Sequence, residues 1–325
     1  MDTKVHGDNV IQVRYEASMG EIHQRLERHG KQGALAFTDT VSDRKELEAA
    51  FDYMSDESSG TGFLFSGWCQ TALPHKRLKD DEIWLLKTDY VSLMIEPGAL
   101  ESDGDVVKVG VPYGSRARLI LLYLQTEAIR TNSREIALGK SLRVWLGKLN
   151  VPIGGKSMRE VREQAMRLSR CRMTFQIARG RHTGLMNQNI VDTAMFSHDA
   201  QGSLLETVKL SESFFDQLKR HPVPLQESAI RAISNNSQAL DIYCWLAYRL
   251  HSLTSDCQIT WKALYAQFGA GYSTLKNFKA KFSESLKVAL AVYPDAQVEQ
   301  NKVGMLLKSS KPPVPRLEDT RVHSP

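Results

Sequence analysis

The sequence predicts an α+β chain, mainly helical, built as two tandem winged-helix domains behind a flexible N-terminal extension. Three observations lead there. Ser141 to Arg170, SLRVWLGKLNVPIGGKSMREVREQAMRLSR, reads as a short helix, a tight turn and a strongly basic helix. Cys171 to Ala178 and Asn189 to Phe196 then alternate and carry β-branched or aromatic residues, as the two strands of a hairpin do. Beyond Gly202 the same order of elements starts again, without visible sequence identity. The expected division is an extension over 1–61, partly disordered, a first winged-helix domain over 62–205 with an N-terminal hairpin, a second over 206–311, and a disordered Pro-rich tail over 312–325.

Composition narrows the function. The 325 residues suffice for about two domains, and 42% hydrophobic with 24% charged residues is ordinary for a globular protein. No apolar run approaches the roughly 18 residues of a membrane span. The start, MDTKVHGDNVIQVRYE, lacks the apolar region of a signal sequence. A cytoplasmic protein with no membrane partner is therefore expected. Cys69, Cys171, Cys244 and Cys257 are isolated, so neither a disulfide framework nor a zinc site is indicated, and no cofactor or metal is expected. The net charge of +5 conceals an asymmetry. Residues 39–105 hold fifteen Asp/Glu against six Lys/Arg, whereas 114–181 hold fifteen Lys/Arg against four Glu. So basic a segment is an electrostatic footprint for a polyanion.

Taken in order, the chain begins with two amphipathic stretches, Ser18 to His29 and Asp43 to Met54, followed by a polar linker at Asp56 to Gly62. Ile83 to Lys87 and Tyr90 to Glu96 read as strands joined by a Thr88-Asp89 turn, the second stopped by Pro97-Gly98. The consecutive carboxylates Asp80, Asp81 and Glu82 read as a solvated loop, since sequence neighbours rarely converge on one atom. Ser115 to Ile129 is a helix and Arg134 to Leu138 a short strand.

Within the opening stretch, Pro152, Gly154 and Gly155 make the turn. Ser157 with Glu160 forms an S-x-x-E capping box. Met158, Val161, Ala165 and Leu168 share one apolar stripe. Arg159, Arg167 and Arg170 fall opposite, with Arg162 and Met166 on the flank, which is the form of a recognition helix. The loop RGRHTGLMNQ at Arg179 to Gln188 would be a wing tip carrying Arg179, Arg181 and His182. In the second half, Leu204 to Leu210 is a strand or a linker, and Ser211 opens a short helix stopped by Pro222 and Pro224. Ser237 to Leu253 and Thr260 to Phe268 are helices, Gly269 and Gly271 the turn. Ser273 to Val292 is a second recognition helix with Lys276, Lys279, Lys281 and Lys287 off its stripe. Gln297 to Glu299 and Gly304 to Leu307 pair as a hairpin through Asn301. The DNA-binding candidates are Lys156, Ser157, Arg159, Arg162, Arg167, Arg170, Arg179, Arg181, Ser273, Lys276, Lys279 and Lys281.

Catalytic patterns fail on their spacing. Gly155-Lys156-Ser157 resembles the end of a phosphate-binding loop, but the glycine required five residues before Gly155 is Asn150, and no strand precedes it. There is no His-apolar-His pair for a nickase metal, no H-x-x-R and no G-x-S-x-G. No enzymatic activity is expected.

The run VPYGSRARLILLYLQTEAIRTNSREIALGKSLRVWLGKLN from Val111, continuing through GGKSMREVREQAMRLSRCRMTF, resembles the plasmid replication initiators of the RepA family, of the RepA C-terminal domain type. Leu73-Pro74-His75, the hairpin ending Ile95-Glu96-Pro97-Gly98, and Tyr293-Pro294 resemble it too. The resemblance spans Gly62 to Pro313 and leaves the first sixty residues unmatched. It implies a bacterial plasmid protein that binds direct repeats in its own replication origin, opens the origin and recruits the host initiator and replicative helicase. It further implies a monomer–dimer equilibrium in which the dimer represses its own promoter. It implies no catalytic residue. The alternatives are a winged-helix transcriptional repressor without an initiation role, a nickase or relaxase, and a nonspecific nucleic-acid binder.

Overall fold

The structure, a computed structural model, describes residues 20–57, 60–89, 91–148, 151–152, 154–179, 182–199 and 202–315. Helix α1 (Gly20–Leu35) kinks at Gly30, where φ is 63°. Helix α2 (Val41–Met54) starts at Thr40, whose hydroxyl accepts from the Asp43 amide at 3.1 Å. The two helices are not a peripheral extension. Leu47 and Ala50 of α2 are buried in the common core, Asp43 pairs with Lys287 at 3.3 Å, and the His23 ring lies 3.0 Å from the carbonyl of Ala291. The expected linker is likewise bound. Asp56, nearly closed off from water, pairs with Arg231 at 2.5 Å, and strand β1 (Thr61–Phe65) begins inside the polar run. The sequence shows a polar Gly/Ser stretch but not the arginine that meets it.

Strands β2 (Trp84–Lys87) and β3 (Val91–Glu96) form the expected hairpin. A second one follows, β4 (Gly98–Ser102) with β5 (Asp105–Gly110), turning at Asp103 and Gly104 with φ of 53° and 86°. Next come α3 (Gly114–Thr131), β6 (Glu135–Ala137), α4 (Gly139–Lys148) and α5 (Gly155–Arg170). The strands after α5 correct the expected wing. β7 (Arg172–Arg179) pairs at once with β8 (His182–Gln188), from Met173↔Gln188 to Arg179↔His182, and both extend the β2–β3 sheet in the order β2-β3-β7-β8. β9 (Val191–Asp199) pairs instead with β10 (Gly202–Leu210), which also pairs β6. Gly184 and a polar composition make 182–188 look like a loop; a neighbouring ladder overrides such weak strand preference. The expected boundary at 205/206 falls inside β10, which stays in its sheet to Leu210.

The chain continues with α6 (Glu212–Arg220), β11 (Pro222–Gln226), α7 (Glu227–Ala232), α8 (Ser237–Arg249), β12 (Cys257–Thr260), α9 (Trp261–Phe268), α10 (Leu275–Leu290), β13 (Val298–Gln300) and β14 (Gly304–Leu307). The result is a mixed helix-and-strand fold in which one order occurs twice. The first set is α3, β6, α4, α5, β9, β10, with the sheet arranged β6-β10-β9. The second is α8, β12, α9, α10, β13, β14, with the sheet arranged β12-β14-β13. In both, the third strand lies between the first and second. The first set differs by the β7–β8 hairpin inserted between α5 and β9. The sets share one core, and β1 pairs β11 across them. Among the described residues no helix is long and apolar enough to cross a membrane.

The sets meet at the fifth residue of α3, Arg118, and the fifth of α8, Asp241. Arg118 Nε and Nη2 donate to the two carboxylate oxygens at 2.6 Å each, while Nη1 and Nη2 reach the carbonyls of Pro74, Gly114 and Leu73. Arg118 is only 9% exposed. Leu73-Pro74-His75 therefore serves a structural purpose, supplying two carbonyls and the His75 ring, whose Nδ1 lies 2.9 Å from Ser237 Oγ. Burial, then the Arg118 guanidinium, pushes the His75 pKa down to about 3. Asp241 is 4.0 Å from the ring but is already saturated by Arg118, so it does not hold the ring charged.

Two predictions follow from this joint. Arg118→Ala leaves Asp241 buried without its partner and should cost about 3–5 kcal/mol in urea unfolding; an unchanged midpoint would contradict the assignment. His75 stays neutral in the folded chain but is protonated below about pH 6.5 when unfolded. Stability should therefore fall on acidification from about pH 6.5 toward 5, by about 1.4 kcal/mol per unit from this group. His75→Gln should make that slope shallower.

Candidate nucleic-acid interface

Helix α5 starts two residues before the expected cap. Gly154 is the N-cap, with extended backbone, and its carbonyl accepts from Met158 N at 3.0 Å. Ser157 is then the third helical residue, 8% exposed, and its hydroxyl makes no hydrogen bond. Glu160 turns to Arg116 at 3.6 Å. The capping box and the contact role of Ser157 are thus both corrected: the flexible Gly154-Gly155 pair lets the helix extend backward past the serine.

The buried side of α5 comprises Ser157, Val161, Gln164, Ala165, Arg167 and Leu168. Arg167 is the second correction. It sits on the flank of the apolar stripe and turns inward, 3% exposed. Nη2 donates to Asp80 Oδ1 and to Glu163 Oε1 at 2.9 Å, Nη1 donates to Val111 O at 3.1 Å, and the guanidinium lies 5.3 Å from the Tyr113 ring centroid. Gly110, at φ +71°, admits this group, since a Cβ there would stand 2.1 Å from Nη1. Arg77 also donates to Asp80 at 2.9 Å. Burial opposes ionisation of Asp80, but the hydrogen bonds from Arg77 and Arg167 hold its carboxyl below the usual range. The acidic run is therefore not simply a solvated loop.

The remaining α5 residues sort by what they touch. Lys156 and Arg159 are exposed, and Arg162 is half-buried beside Arg159 and Met166 in a shallow depression also lined by Val109. Arg170 is drawn against Phe196 of β9, 5.2 Å from the ring centroid. Gly98 makes the close approach at this end possible, since a Cβ would stand 2.5 Å from the Arg170 carbonyl oxygen. Arg143 on α4 is exposed as well; sequence reading missed it because helix position alone does not tell a solvent-facing arginine from a paired one. Arg179 ends β7 beside the β7–β8 turn, not on the β9–β10 hairpin, and Arg181 lies outside the described residues.

In the second set, Thr274 caps α10 and accepts from Asn277 N at 3.2 Å. Ser273 and Lys276 are exposed at its start. Lys279 packs over Trp261 at 5.1 Å, and Lys281 is engaged by Glu284 at 2.8 Å. Lys287 is used by Asp43. The start of α10 is thus its open, basic part. Lys302, exposed in the β13–β14 turn that Asn301 closes, joins it as a cation which the sequence reading did not single out. Among the described residues no group of three His, Cys, Asp or Glu could hold a metal, and burial pushes the Cys171 thiol up to about 12.

Residues 111–263 match the RepA_C family model, described as Plasmid encoded RepA protein. No curated protein sequence matches the chain. Among solved structures, a crystal structure of selenomethionine derivatives of RctB domains 2 and 3 is similar at 11% identity and a TM-score of 0.49, covering 77% of this chain and 100% of that one. A second crystal structure of RctB domains 2-3 is similar at 9% identity and a TM-score of 0.43, covering 73% and 93%. Identities this low say nothing about individual residues. The matched stretch contains α5 and both partners of the Arg118–Asp241 pair, and over that stretch the chain is similar to the plasmid-encoded RepA proteins of this family.

Proposed function

We propose that the chain initiates plasmid replication by binding direct repeats of its own origin as double-stranded DNA, with each repeated set of elements acting as a winged helix. The observation that carries this reading is the exposed Lys156–Arg159 side of α5 together with the open basic start of α10, each the second helix of a helix-turn-helix. Helices in that position read bases in the major groove, chiefly with their N-terminal residues. Arg159 and Arg162 read guanine edges. Lys156, Ser273, Lys276 and the helix-start amides hold phosphates and set the register. Arg170, Lys279 and Lys281 contribute less, each being already engaged.

Opening of the origin and recruitment of the host initiator and replicative helicase follow binding. A dimer of the same protein represses its promoter, and the monomer initiates. The action is non-enzymatic and cytoplasmic: it positions DNA and partners and breaks no covalent bond. Nicked circles formed from supercoiled origin DNA with magnesium would instead favour a relaxase.

The test is binding to duplex carrying the direct repeats beside its own gene against a scrambled duplex, across a salt series. The expected specificity ratio is about a thousand or more at physiological salt. Arg159→Ala and Arg162→Ala should each lose roughly 1–3 kcal/mol on the repeats alone. A small ratio with a steep salt slope would contradict the reading.

A further inference from the structure

We infer that Arg167 is a positioning residue for DNA recognition: it touches no DNA and fixes the angle at which α5 presents Arg159 and Arg162. The inference rests on the reading of α5 as a recognition helix and adds how that helix is held.

The geometry comes from four directions. Glu163, one turn earlier on α5, receives Nε at 3.2 Å and Nη2 at 2.9 Å. Asp80, in the loop before β2, receives Nη2 at 2.9 Å. Val111 O, between β5 and α3, receives Nη1 at 3.1 Å. The Tyr113 ring lies alongside, and the adjoining Tyr113 amide donates to Gln164 Oε1 of α5 at 2.8 Å. One planar group thus joins α5 to two loops, and Arg77 on Glu163 and the Tyr113 amide on Gln164 brace the helix from the same loops. With 3% of its surface exposed, the guanidinium cannot reach a phosphate while these bonds stand. Glu163 is consumed in the same way, with Arg77 at 3.7 Å and Tyr113 Oη at 3.4 Å on its carboxylate, so it is a brace and not a reader of cytosine. Glu163 and Arg159 lie four residues apart on the same helix, so a shift of the brace moves the reading residue with it. A misplacement of about 1 Å is enough to spoil a bidentate contact whose geometry is fixed.

Charge and position make opposite predictions here. Asp80→Asn removes a negative charge near a basic surface, so electrostatics alone would tighten binding to any DNA. Loss of the brace would weaken binding to the repeats only.

The experiment measures the full chain carrying Asp80→Asn, Arg167→Met or Arg167→Lys on repeat-bearing and scrambled duplex, across salt, with urea unfolding confirming that each variant is folded. The expected result is a drop of about tenfold or more on the repeats, the size of one lost arginine–guanine contact. Binding to scrambled DNA should not weaken, the salt slope should not change, and Arg167→Lys should recover part of the loss. Arg167→Met with Asp80→Asn should lose no more than Arg167→Met alone, because the Asp80 contact is already gone once Arg167 is removed. If Arg167→Met does not fold, Asp80→Asn decides alone. Full repeat affinity in folded variants overturns the inference. So does a salt slope lowered by about 1 with weaker binding to both duplexes, the signature of a phosphate contact. A wild-type chain that does not discriminate repeats from scrambled DNA removes the proposed function itself, and is recognised before any variant is compared.

Discussion

A guanidinium shut away from water must find an acceptor for nearly every N–H, and an arginine in that state fixes the parts around it. Arg118 is in that state. Its fork closes on Asp241, and its remaining donors end on carbonyls of Leu73, Pro74 and Gly114. Those acceptors come from both repeated sets of elements and from the segment ahead of them. Because the partners occupy the same position in α3 and α8, the contact is made between like parts of the repeat. It sets the two repeated sets of elements, and with them α5 and α10, against each other.

A smaller version of the same device acts at α5, where Arg167 does for one helix what Arg118 does for the halves. The second set solves its problem otherwise. Trp261 receives the Lys279 ammonium over its ring, and the N-terminal helix α2 lies against the later part of α10 through Asp43 and Lys287. The early part of α10 stays open. The N-terminal helices thus belong to the second unit's architecture, although nothing in their sequence names that partner.

Local pattern made the helices and their turns legible. The stripes of α5 and α10, the Gly269–Gly271 turn and the Asn301 hairpin all follow from residues close together in the chain. The failures are long-range. Gly154 displaced Ser157 as the cap because two glycines cost little in the first turn. A basic, Gly-containing stretch became β8 because β7 was already paired and offered its other edge. Arg167 looks like its neighbours in sequence, and only Asp80, eighty-seven residues away, tells it apart. Leu73-Pro74-His75 was recognisable by resemblance alone, and its reason appears once Arg118 is seen to need its carbonyls.

We propose that two like units, locked by one buried ion pair, present α5 and α10 to one site. Methylation interference on the repeat-bearing duplex with the full chain tests it most directly. The account predicts two clusters of guanines whose N7 methylation blocks binding, in successive major grooves about one helical turn, roughly 10.5 base pairs, apart. A single cluster, or none, would contradict it.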